Sequence, residues 1–104
     1  VVMCPCAPIE EDSTYAADYE EEFGSAPGAY AAEGYDAMSV FLAALDDGAR
    51  TREDVEAFVD DYTGEGLSKE IAFDENGDVP QENVSYWAYK NEGGTLVPEV
   101  EVTP

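Results

Sequence analysis

An α/β fold is predicted for this chain of 104 residues. Its order is a strand end, three helices, a short β-hairpin and final strands. Three observations predict it. Apolar residues recur at helical spacing between about Asp12 and Tyr62. The pattern changes to strand-like alternation after Gly66. Turn residues cluster where one period gives way to the next.

Val1-Val2-Met3 is a short apolar run cut by Pro5 and Pro8. It reads as the end of a strand entering an extended crossing segment. No partner strand is evident beside it, so its neighbours are expected upstream. The chain opens on Val1 rather than methionine, which supports the same expectation.

The first helix is expected from about Asp12 to Phe23. Tyr15, Tyr19 and Phe23 recur every four residues on one face, and Gly24 supplies the stop. The second runs from Tyr30 to Leu45. Tyr35, Met38, Phe41, Leu42 and Leu45 follow its apolar stripe, and alanines fill much of the rest. A helix this apolar is expected to be buried on more than one side. The third starts at Thr51, with Asp54 at the capping-box position and Val55, Phe58, Val59 and Tyr62 on one face. Gly64 and Gly66 are expected to end it.

Ile71 and Phe73 then alternate as in a strand, and Asn76-Gly77 is a strong hairpin signal. Val84 to Lys90 is rich in aromatic and β-branched residues and reads as a central strand. Gly93-Gly94 turns the chain into a last strand, Leu96 to Val102, where Pro98 marks a sheet edge.

Composition narrows the function. A hydrophobic fraction of 44% is enough to pack, which excludes a disordered composition. Twenty-five acidic residues face four basic ones, for a net charge of -21. Such a surface repels nucleic acid and anionic membranes. The acids are spread along the whole chain, as in a generally acidic surface. No stretch reaches the roughly 18 apolar residues of a transmembrane span. There is no histidine, hence no ordinary general base at neutral pH. Carboxylate pairs occur throughout and single out no catalytic pair. No catalytic residue, metal ligand or cofactor is expected, and the protein is not expected to be an enzyme. Asp74 to Asp78 departs from the EF-hand spacing and reads as a turn. Cys4-Pro5-Cys6 lacks further zinc ligands. Free thiols, a bridge between Cys4 and Cys6, or bridges to other cysteines stay open, and an oxidising compartment favours a disulfide.

Tyr19 to Gly24, Ala26-Pro27-Gly28-Ala29-Tyr30 and Gly34-Tyr35-Asp36-Ala37-Met38 follow one another in an order that resembles a known family. So do Gly64 to Leu67, Ile71 to Asp78, Val84 to Lys90 and Gly93 to Pro98. The chain resembles the C-terminal portion of branched-chain amino acid ABC transporter substrate-binding proteins, the type I periplasmic binding proteins of the Leu/Ile/Val-binding kind. The resemblance covers nearly the whole chain.

It implies a two-lobed α/β protein with the ligand held between the lobes. Residues 1–83 would be a crossing segment, from Cys4 to Ile9, and the helical part of the first lobe. Residues 84–104 would be the third crossing and the terminal strands of the second lobe. The implied role is extracytoplasmic, at the periplasm or lipid-anchored at the cell surface. The protein would bind an amino acid or amide-like ligand for ABC permease subunits, and the missing N-terminal part would complete it. A ligand-sensing domain of the same fold and a self-standing acidic interaction domain are the alternatives. Tyr30 is the ligand-binding candidate, either against the ligand side chain or packed at the helix start. Glu33 and Tyr35 are lesser candidates, and Asp36 is structural.

Overall fold

A computed structural model describes residues 2–102. The chain is mixed α/β, with three helices and two small antiparallel sheets among the described residues. Strand β1 (Val2–Cys4) leads into an irregular crossing segment. Helices α1 (Thr14–Phe23), α2 (Ala31–Asp46) and α3 (Arg52–Asp60) follow. Strands β2 (Thr63–Glu65) and β3 (Glu70–Ala72) form a hairpin. A 3-10 turn at Gln81–Asn83 then precedes β4 (Tyr86–Glu92) and β5 (Thr95–Val102). No described helix is long and apolar enough to cross a membrane.

Local chemistry sets the helix ends. The Ser13 hydroxyl accepts from the Ala16 amide at 3.2 Å, satisfying one free donor at the start of α1. Gly24 adopts φ 76° and donates to the Glu20 carbonyl, closing the other end. Thr51 and Asp54 form the reciprocal capping box of α3. The C-terminus of α2 carries Asp46 and Asp47, which the helix dipole disfavours. Arg50 offsets them, its Nη1 donating to the Leu45 and Ala49 carbonyls at 2.9 and 2.6 Å.

The larger sheet has the order β1-β4-β5. Strand β1 therefore has a partner within this chain, contrary to the expectation that its neighbours lie upstream. Cys4 stands opposite Trp87 and Met3 opposite Ala88. Separation hid this pairing: more than 80 residues lie between the partners. Val1, part of the expected strand end, lies outside the described residues. Strand β4 is central and β5 is an edge, as Pro98 predicts. Pro98 stands opposite Tyr89 and Val100 opposite Ala88, so Glu99 is the extra residue of a bulge. Gly93 and Gly94 both have positive φ, as a tight turn between right-twisted strands requires.

The hairpin lies elsewhere than Asn76-Gly77. Thr63 pairs with Ala72 and Glu65 with Glu70, so Gly64 belongs to a strand rather than to a helix stop. The turn at Gly66–Lys69 is fastened by a tertiary partner. The Asp36 carboxylate on α2 accepts from the Leu67 and Ser68 amides at 2.7 and 2.8 Å and from the Ser68 hydroxyl. Asp36 is only 4% exposed. A Cβ on Gly66 would sit 2.5 Å from Asp36 Oδ2, so this close approach needs glycine. Asp74 to Asp78 instead folds onto itself. Asp74 Oδ1 accepts from the Asn76 and Asp78 amides, and Pro80 removes a donor a returning strand would need.

The molecule is flat. Its extents are 48 × 35 × 17 Å and its radius of gyration is 15.7 Å, against about 13 Å for a compact domain of this length. Its accessible surface is 7383 Å², where a compact monomer of this mass has roughly 5,700 Å². The buried hydrophobic positions are mostly alanine, with Cys6, Val40 and Ile71. The expectation that α2 is buried on more than one side is not met. Ala32, Asp36, Val40 and Ala44 face inward, while Met38, Phe41, Leu42 and Leu45 stay about half-exposed.

Two tests follow from this construction. Asp36→Ala should cost about 2 kcal/mol, because it removes a charged acceptor from two part-buried amides. The shift of the urea midpoint measures this, and a change under about 0.5 kcal/mol would remove the staple role. The second concerns pH. Hydrogen bonds from the Arg50 amide, then from the Thr51 hydroxyl and amide, hold the Asp54 carboxyl below its ordinary value. A depressed folded value means the cap contributes fully above the ordinary carboxylate range. That contribution is lost as pH falls through the lowered value. The start of α3 should therefore fray only at strongly acidic pH. The Thr51 amide shift should titrate together with the Asp54 carboxyl carbon in wild type, and that step should vanish in Asp54→Asn.

Candidate functional site

The crossing segment, the start of α2 and strand β4 meet at one point, which collects polar groups around a disulfide. Cys4 and Cys6 are bonded to each other, with Cα atoms 5.1 Å apart. Pairing of β1 with β4 sets this bridge beside Tyr89. The Tyr89 hydroxyl lies 3.7 Å from Cys6 Sγ and 3.5 Å from the Cys6 carbonyl. The Tyr30 hydroxyl donates to Cys4 Sγ at 3.4 Å.

Tyr30 caps α2 through its backbone alone, with no side-chain cap bond, and the residue is 53% exposed. Its φ is 65°, the only positive value among the described non-glycine residues. A left-handed backbone costs a bulky residue roughly 1–2 kcal/mol. Surrounding contacts hold it: the Ala31 amide donates to the Gly28 carbonyl and the Gly34 amide to the Tyr30 carbonyl. Such a conformation on an exposed aromatic residue is a feature that clusters at binding sites.

Glu33, one turn into α2, fastens the crossing segment to the helix. Its Oε1 accepts from the Ala7 amide at 2.7 Å and lies 3.7 Å from Lys69 Nζ. Its Oε2 is buried without a hydrogen-bond partner. Burial raises the Tyr89 phenol above its ordinary value, and the Glu33 carboxylate and Tyr30 add to that. Tyr89, a donor at neutral pH in any case, therefore stays protonated further into the alkaline range.

Of the candidates drawn from sequence, Tyr30, Glu33, Cys4 and Cys6 come together here. Tyr35 does not. Its ring packs edge-to-face on Tyr15 at 5.3 Å, in a ladder that continues through Tyr19 to Phe23. Sequence reasoning missed Tyr89 and Lys69. Tyr89 sits in an aromatic run that reads simply as a strand, and only the β1–β4 register brings it to the bridge. Among the described residues no group of three or more His, Cys, Asp or Glu side chains could hold a metal ion.

Beside the cluster a cleft of about 660 Å³ opens between the crossing segment, α1, the α1–α2 turn and the β4–β5 ribbon. Cys4, Cys6 and Tyr89 line it, while Tyr30 does not. No family model, curated protein or solved structure matches the chain.

The Glu33 bond is testable. Glu33→Ala should speed exchange of the Ala7 amide about tenfold or more, since a charged acceptor is removed. Unchanged protection at Ala7 would show that the crossing segment is held without it.

Proposed function

We propose that this chain is the C-terminal part of an extracytoplasmic solute-binding protein. In this reading it holds a small amino acid or amide-like ligand between two lobes and presents it to ABC permease subunits. The observation that carries the reading is the antiparallel pairing of Cys4 with Trp87. The segments that the resemblance reads as interlobe crossings meet at this pair, where Cys4 opens one of them and Trp87 lies in the other. The assignment of these segments as crossings comes from the sequence resemblance.

Tyr30, an exposed residue, stands at this junction in a conformation retained against its cost. It is the residue proposed to meet the ligand side chain. The Cys4–Cys6 bridge stiffens the crossing and fits an oxidising compartment. Closure would be a hinge motion about the crossings, with no chemistry done on the ligand. Sensing by a receptor domain of this fold uses the same geometry, since fold alone does not select between transport and sensing.

Calorimetry on the full-length protein with a panel of L-amino acids and their amides tests the proposal. One ligand class should bind saturably, and Tyr30→Ala should weaken it about tenfold through loss of aromatic contact. Absence of binding across the panel would overturn the reading. Unchanged affinity in Tyr30→Ala would remove Tyr30 from the site.

A further inference from the structure

We propose that the cleft beside the disulfide is a second binding site, for a small organic cation with a short apolar body. This goes beyond the solute-binding reading: the cleft adjoins the cluster through Cys4, Cys6 and Tyr89, but Tyr30, the residue proposed for the solute, does not line it. The volume of about 660 Å³ falls within the roughly 300–1,000 Å³ usual for small-molecule sites. Its walls are apolar, with Ile9 from the crossing segment, Pro27 from the α1–α2 turn and Leu96 from β5. Tyr89 supplies a hydroxyl. The charged side chains lining it are two carboxylates, Glu11 and Glu20, both exposed.

The sign of the charge selects the ligand. No Lys or Arg precedes Arg50 in the sequence, so Glu11 and Glu20 have no basic neighbour along their own segment. An ammonium group at the rim meets these carboxylates, while its alkyl chain displaces water from the Ile9, Pro27 and Leu96 walls. An anion of the same shape meets repulsion at that rim and from the whole surface. A neutral isostere gains the apolar contact alone. Occupancy would also bridge the crossing segment and the β4–β5 ribbon, and so resist their relative motion.

The test is a chemical-shift titration of the full chain in 150 mM salt with n-butylammonium, n-butanol and butyrate. Butylammonium should shift Ile9, Tyr89 and Leu96 saturably, butanol should bind about tenfold more weakly, and butyrate should leave them unmoved. The double variant Glu11→Gln, Glu20→Gln should bring butylammonium to the butanol level. Both carboxylates are exposed, so the variant keeps the fold. Leu96→Trp, with the β4–β5 amide pattern intact, should abolish the shifts. Three results would overturn the proposal. One is non-saturating shifts spread over the acidic surface. Another is equal binding of amine and alcohol. The third is an amine titration unaffected by the double variant.

Discussion

The pairing of β1 with β4 is the contact on which the rest of the arrangement depends. It is short, three residues on the β1 side, yet it closes a loop of more than 80 residues. Loop closure of that length is entropically unfavourable, though the cost grows only slowly with length. It sets the register that aligns Cys4 with Trp87, and so sets the disulfide beside Tyr89. Once the crossing segment is anchored, Ala7 is in reach of Glu33 and Cys4 in reach of Tyr30. The contacts of Cys4, Cys6 and Ala7 in the candidate site therefore depend on this ladder, while Lys69 reaches Glu33 from the β2–β3 turn.

A second tie, Asp36 to Leu67 and Ser68, does for the helical half what the ladder does for the ends. The two acids of α2's first two turns divide the work. Glu33 reaches back to the crossing segment and Asp36 forward to the β2–β3 turn. Asp36 is met by two backbone amides and the Ser68 hydroxyl, while Glu33 meets the Ala7 amide and Lys69 through Oε1 alone, in a chain of net charge -21 with few cations to spare. Three of the four cations are engaged, one by carbonyls and two by carboxylates. Arg50 caps α2, Lys69 meets Glu33, and Lys90 lies 3.0 Å from Glu92. The last pair is exposed and contributes little.

What sequence revealed was what neighbouring residues decide. The helices, with the caps at Thr51 and Gly24, the Gly93-Gly94 turn and the edge position of Pro98, follow from local periodicity and backbone preference. What it hid was decided at a distance. The hairpin at Gly66–Lys69 has no strong turn dipeptide, because Asp36, some 30 residues earlier, supplies its partners. Asn76-Gly77 carries the strong signal, but Asp74 and Pro80 divert it into a closed loop. Tyr30, Glu33 and the cysteines were legible as candidates from resemblance and chemistry. Their meeting with Tyr89 was not, because it needs the β1–β4 register.

The apolar face of α2 follows the same logic of neighbours. Met38, Phe41, Leu42 and Leu45 are about half-exposed, and residues 37–45 carry no charge. In a chain where roughly every fourth residue is acidic, an uncharged run of this kind is what a buried face needs, since a carboxylate there would lose its hydration. Here the inward side of α2 is filled with small residues, Ala32, Val40 and Ala44, which allow close approach but bury little area. Burying the half of each large side chain still in water would add on the order of 1 kcal/mol apiece. In the proposed two-lobed protein, that face is where the helix would pack against the rest of its lobe. The flat shape and excess surface of the chain agree with such packing. The polar junction at Cys4, Tyr30 and Glu33 lies at the other end of the helix. It is held by hydrogen bonds rather than by apolar burial, and so it keeps its geometry without that cover.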